Sequence, residues 1–245
     1  MRRRTLLAGA AGLGLAGIAY WQRYRVQGLA SRIRARLRRP RSVGDAVAAY
    51  GPEARARLRP GFAAAGAAYP PAAVTLIGLK AERRIEVWAP GPSGRPVRVA
   101  AYGVVAASGG PGPKLREGDR QVPEGFYPVT ALNPNSSFHL SLRVGYPSDE
   151  DRELAAVDGR TDLGGDIMIH GAGGSVGCLA LTNRAIEEVF VLAADTGIAA
   201  MQVILAPRDL RGRAVPAVPD GAPAWTADRY ARLHAAMAAF AVPGG

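Results

Sequence analysis

A chain of 245 residues with 48% hydrophobic content can bury one sizeable core or two small ones, which excludes a disordered or fibrous protein. The formal net charge of +11 would ordinarily raise nucleic acid as a partner, but residues 1–43 hold eleven arginines and no Asp or Glu, leaving twenty basic and twenty acidic residues for the rest. The body is therefore neutral: the excess marks a targeting or membrane-surface device and argues against a basic nucleic-acid groove.

The chain opens "MRRRTLLAGAAGLGLAGIAYWQRYR", with Arg2 to Arg4 ahead of an apolar run from Leu6 to Ala19. That order is the pattern of an export signal, and "RRTLL" resembles a twin-arginine signal. Residues 1–21 are expected to be a signal peptide or a membrane anchor. A basic helical lead-in is expected over 22–71. Within it Leu29, Ile33 and Leu37 recur every four positions among arginines, the pattern of an amphipathic helix that docks on an anionic surface or is simply solvated. Ser42 and Asp45 form a capping pattern for a short helix that stops at Gly51, and a second helix opens at Pro52 and is disturbed at Pro60.

Residues 72–245 are expected to form one domain. Its first part reads as short strands, "AVTLIGLK", "RRIEVWAP", "VRVAAYGVV", "FYPVTAL", "SFHLSLRVG", "DIMIH", "CLAL" and "MQVILAP", separated by Gly, Pro and Asn turns. Helical signals in this domain are confined to 183–194, capped by Thr182, and 227–240, capped by Thr226. "YPSDEDR" reads as a solvated charged turn or a cap over a cleft, and "NPNSS" as an Asn/Pro turn. Asp162 and Asp166, ahead of the strand that ends at His170, are candidates for pairing with arginine. Many strands with few helices predict a mainly β, α+β fold, a sandwich or barrel. Three histidines and one cysteine offer no metal-ligand cluster, and no cofactor is expected.

The single cysteine, Cys178, lies in "IMIHGAGGSVGCLALT", eight residues after His170. In an exported chain a single thiol bridges nothing, so it is either a small buried hydrophobe or a reactive group. The neighbours favour reaction. A strand ends at His170, "GAGGS" can turn sharply, and a strand resumes after Cys178, so imidazole and thiol can face each other. Glycine before the thiol leaves the backbone N–H groups of Gly177 and Cys178 open to a developing oxyanion. A phosphate loop fits poorly, because "GAGGS" lacks the lysine and the glycine spacing.

"HGAGGSVGCLALT" resembles the catalytic domain of the L,D-transpeptidase (YkuD-type) family, and "VPEGFYPVTALNPNSSFHLSLRVGYPSDEDR" is similar to the segment upstream of it in the YafK-like murein transpeptidase branch. The resemblance implies a YkuD-like β-sandwich or barrel, a periplasmic location and action on peptidoglycan stem peptides. It makes Cys178 the nucleophile, His170 the base and Gly171 the carbonyl that orients the imidazole, with Ser175 and Gly177 in the turn before the nucleophile. Ser175 is expected at the substrate, and so is His139, whose alternative reading is a satisfied structural histidine. Two features depart from most relatives: Val176 stands where they carry a second histidine, and Ala180 where they carry an arginine. The reaction implied is acyl transfer through a Cys178 thioester at diaminopimelate. An amine of another stem, or a lysine of an outer-membrane lipoprotein, is the acceptor. The alternatives are a cysteine amidase of the same fold, which admits water or frees the lipoprotein, and a non-catalytic wall-binding module. The membrane surface is a further expected partner, through the N-terminal segment.

Overall fold

The structure is a computed structural model and describes residues 40–171 and 177–240. The signal or anchor reading of residues 1–21 and the basic amphipathic helix around Leu29 to Leu37 lie outside the described residues. Among those described, no helix is long and apolar enough to cross a membrane.

Eight strands form one curled sheet: β1 (Val74–Leu79), β2 (Arg84–Pro90), β3 (Pro96–Gly103), β4 (Gly125–Asn133), β5 (Ser141–Val144), β6 (Met168–His170), β7 (Leu179–Ala180) and β8 (Met201–Ala206). Their order across the sheet is β3-β2-β1-β8-β4-β5-β6-β7. All eight correspond to strands expected from the alternating pattern, so the mainly β reading holds. The expected strand "SFHLSLRVG" starts late, at Ser141, because His139 has φ 77 and leaves the extended region.

β1 pairs with β8, and β6 with β7, in parallel; the other neighbours are antiparallel. The ends of β1, β3, β5 and β8 and the starts of β2, β4, β6 and β7 therefore share one end of the sheet. β4 joins the two halves: it pairs with β8 over Gly125–Pro128 and with β5 beyond, with a register shift between Val129 and Ala131 that bends it. Just past β3, Ala106 forms an isolated bridge to Ala180 of β7 and draws the two edges of the sheet together.

Alternation along the strands feeds two cores, one on each face. Leu76, Ile85, Val87, Val203 and Leu205 pack with helices α1 (Val43–Ala64) and α3 (Asn183–Thr196). Ile77, Leu79, Trp88, Ile204 and Ala206 pack with Tyr230, Leu233 and Met237 of helix α4 (Thr226–Met237). Burial on both faces explains why β1 and β8 read as nearly continuous apolar runs.

The lead-in differs from expectation. Val43–Ala64 is one helix of 22 residues, with Pro52 and Pro60 inside it. An interior proline costs about 3 kcal/mol in an unsupported helix, so continuity here rests on packing. Ala46, Ala54, Leu58 and Phe62 are buried along it. Arg55 grips Asp195 of α3 through two hydrogen bonds, and Arg57 pairs with Glu187 and Glu188 of α3. The helix thus shares the core of the sheet, in a compact unit that begins at Arg41. The capping box of Ser42 and Asp45 is present as expected.

A helix not expected from the sequence, α2 (Asp149–Val157), starts within "YPSDEDR" and runs on past it, opened by a capping box of Ser148 and Asp151. At α4 the cap position is Trp225, with no side-chain cap, and Thr226 is the first helical residue rather than the cap. Trp225 is already in the helical region, φ −62, with the Arg229 guanidinium 4.6 Å from its ring centroid, so the turn before it continues into the helix.

Gly61 shows how closely α1 sits on the sheet: a Cβ there would run into the Val99 carbonyl of β3. Alanine is the better helix former by about 1 kcal/mol. Gly61→Ala is nevertheless expected to destabilise the fold by about 1–3 kcal/mol, as overpacking does. The urea midpoint reads the sign, and a rise would mean that α1 can move off β3 freely.

Candidate active site

His170 closes β6, with Ser141 of β5 opposite it on one side and Ala180 of β7 on the other. The parallel register pairs Ile169 with Leu179, so Cys178 stands at the opening of β7, two residues back along the ladder from His170. Cys178 is partly exposed. Its sulfur accepts the Met168 N–H at 3.4 Å, and its S–H reaches the Asp166 carbonyl at 3.6 Å. The segment 172–176 that joins the two strands lies outside the described residues, and with it the expected substrate residue Ser175.

His170 is 3% exposed. Its Nδ1 lies 2.7 Å from the Gly171 carbonyl. A carbonyl can only accept, so Nδ1 carries the proton and Nε2 the lone pair. The Gly171 carbonyl is thus the group that holds the Nδ1 side of the ring. Residue 171 must be glycine for a steric reason, since a Cβ there would press on the Phe138 carbonyl and the Asn183 side chain. The Phe138 ring covers the imidazole, centroids 4.7 Å apart, and is itself 40% exposed.

Burial lowers the His170 pKa, against a smaller raising effect from the Gly171 hydrogen bond. Burial also raises the Cys178 thiol. The Asp166 charge adds to that, while the Met168 N–H and the Lys114 charge oppose it. Both shifts favour the neutral forms, so the resting pair is a thiol and a neutral imidazole. The rate of Cys178 alkylation by iodoacetamide should therefore keep climbing from about pH 7 to beyond about pH 9. A plateau at neutral pH would reveal a preformed thiolate–imidazolium pair instead.

Two expected roles meet different geometry. The Gly177 N–H, expected to face an oxyanion, donates to Ser108 Oγ at 2.6 Å, and that hydroxyl donates to the Arg120 carbonyl at 2.8 Å. Gly177 has φ 77, which turns its amide toward the 104–124 strap. Ser108, from a Gly/Pro-rich stretch some seventy positions away, carries no sequence signal for this. His139, expected at the substrate, turns instead to the helices: its Nε2 is 2.9 Å from Glu187 Oε1 of α3, and its ring meets Tyr50 of α1 edge-on at 5.0 Å. Its neighbour Phe138 is the residue that reaches the imidazole. Asp166 pairs with Arg143 at 2.9 Å, an arginine partner of the kind expected. Among the described residues no group of three His, Cys, Asp or Glu could hold a metal ion.

The curled sheet thus sets the Cys178 thiol at the opening of the strand that neighbours the one ending in the carbonyl-oriented His170 imidazole. The chain belongs to the YkuD family, the L,D-transpeptidase catalytic domain, whose model matches residues 77–204, more than half of the chain. It is 40% identical over 92 residues to YafK of Escherichia coli K12, a protein named provisionally as an L,D-transpeptidase, and equally to YafK of Escherichia coli O157:H7. The match covers 37% of this chain and about a third, 35%, of the length of those relatives. Among solved structures, the helical cell shape determining protein Pgp2 of Campylobacter jejuni aligns at TM-score 0.46 with 22% identity, over 56% of this chain and 48% of its own. Bd1075 of Bdellovibrio bacteriovorus aligns at TM-score 0.42 with 17% identity, over 55% and 47%.

Proposed function

We propose that the protein is a periplasmic, peptidoglycan-modifying L,D-transpeptidase that carries the acyl group of a stem-peptide diaminopimelate as a thioester on Cys178. The observation that supports this most directly is the tautomer of His170: with Nδ1–H held by Gly171, the Nε2 lone pair is the base left for the thiol at the head of the adjacent strand. The export pattern of residues 1–21 supports the location.

In the reaction, His170 takes the thiol proton as the Cys178 sulfur attacks the amide carbonyl. The C–N bond then breaks, D-alanine leaves with the proton returned by His170, and the thioester remains. An acceptor amine, from a second stem or a lipoprotein lysine, gives its proton to His170 as it attacks the thioester, and the thiol is restored. The neutral resting pair suits this sequence, because charge then appears only as the bond forms.

A second reading, hydrolysis of the thioester, is favoured by one observation: Ala180, two residues past the thiol, is fully buried and offers no cation to hold an acceptor. Incubating the protein with tetrapeptide muropeptides, and separately with lipoprotein-linked ones, and weighing the products separates the two. Cross-linked dimers indicate transfer. Tripeptide without dimer, or freed lipoprotein lysine, indicates the amidase. The absence of all these products would refute both.

A further inference from the structure

The end of the sheet at which Cys178 opens β7 also carries a pocket of about 260 Å³. Its walls come from the β1–β2 turn (Lys80, Arg83), the strap after β3 (Ser108, Gly109, Gly110) and Val122 just before β4, with Pro207 after β8 at its edge. Ser108 belongs to both places: it lines the pocket, and its hydroxyl accepts the N–H of Gly177, the residue before the thiol. The pocket thus adjoins the nucleophile turn through a single side chain.

Its charge is one-sided. Among the described residues no Asp or Glu lines it. Lys80 is already neutralised by Glu124, with Nζ to Oε1 at 2.8 Å, and saturated by the Gly112 and Val122 carbonyls. Arg83 is not neutralised. It is exposed, donates from Nη2 to the Val105 carbonyl at 3.2 Å, and pairs with no carboxylate among the described residues. A guanidinium with donors to spare, at the mouth of an otherwise largely apolar pocket, matches a carboxylate on a small apolar residue. Gly109, φ 85, and Gly110 add no side chain to the strap wall beyond those of Ala107, Ser108 and Pro111.

We propose that this pocket is a carboxylate subsite, in which Arg83 binds the terminal carboxylate of the residue that leaves when Cys178 is acylated. The proposal rests on the acyl-transfer reading for the identity of that residue, and on the pocket itself for its charge. It requires a donor peptide to end in a free carboxylate and predicts discrimination against the same peptide ending in an amide.

The test is equilibrium binding, which needs no turnover. Full-length protein carrying Cys178→Ala is titrated calorimetrically with a stem tetrapeptide as the free acid and as its C-terminal carboxamide, and again with Arg83→Gln added. The free acid should bind about tenfold or more tightly than the amide, a charge-assisted hydrogen bond's worth, and Arg83→Gln should abolish the difference while leaving amide binding unchanged. Arg83→Lys should recover part of it. Equal binding of acid and amide, a preference that survives Arg83→Gln, or no binding of either peptide would overturn the subsite. Carboxylate-selective binding in a protein whose wild type turns over neither donor would keep the subsite and refute the acyl-transfer reading, so the two can fail separately.

Discussion

Cys178→Ala should fold as the wild type does and lose turnover of tetrapeptide donors by about four orders of magnitude or more, the scale on which enzymes lose activity with their nucleophile. The thiol makes weak sulfur contacts to the Met168 N–H and the Asp166 carbonyl and is partly exposed, so shortening it leaves a small defect worth about 1 kcal/mol. Cys178→Ser should be nearly as inactive. A hydroxyl in the same buried setting has an even higher pKa than the thiol, and His170, its basicity lowered by burial, cannot deprotonate it efficiently. Steady-state turnover and thermal unfolding of the three proteins, measured side by side, check this. An active, well-folded Cys178→Ala would remove the thiol from the reaction.

The largest loss of stability should come from Lys80→Met, about 3–5 kcal/mol, the cost of stranding a buried charge. Lys80 follows β1 with its side chain 9% exposed, and Glu124 beside it is completely buried. That carboxylate also accepts the Gly112 N–H at 3.0 Å and the Tyr230 hydroxyl at 2.8 Å, so one network ties the strap, the start of β4 and α4 together. Burial alone would drive the lysine toward its neutral form; the Glu124 charge opposes this. Methionine keeps the stem and deletes the cation. Adding Glu124→Gln should then restore much of the loss, because no bare carboxylate remains. Urea unfolding of the two single variants and the double gives the coupling directly. Additive losses would show that the pair does not act as a unit.

The strands were legible because alternation and continuous apolar runs are local signals, and so were the caps at Ser42 and Thr182, whose side chains sit next to the amides they serve. The continuity of α1 was not, because the interactions that carry it past two prolines lie on α3, about 130 residues further along. The helix at Asp149–Val157 could have been found, since Ser148 and Asp151 have capping-box spacing; its charged, weakly apolar sequence hid it. Within the site, His170, Gly171 and Cys178 stand close in the chain and could be read together. Ser108 and Phe138 could not, because a hydroxyl bound to the Gly177 amide and a ring laid on the imidazole are products of tertiary packing alone. The direction of His139 was not legible, because it depended on strand register and its left-handed backbone takes it out of the strand.

The bridge between Ala106 and Ala180 governs how a polymer can reach the thiol. β7 is two residues long and would otherwise be an open edge beside Cys178, of the kind on which extended peptides commonly align. Its Ala180 N–H donates to the Ala106 carbonyl at 2.9 Å, and its Ala180 carbonyl accepts the Val105 N–H at 2.8 Å, so the ladder groups are spent within the chain. An extended peptide therefore cannot pair with β7 at Ala180. If the protein acts on stem peptides as proposed, a donor is recognised there by its terminus and side chains and not by adding a strand to β7, which suits short branches projecting from a glycan mesh better than the continuous chain of a protein.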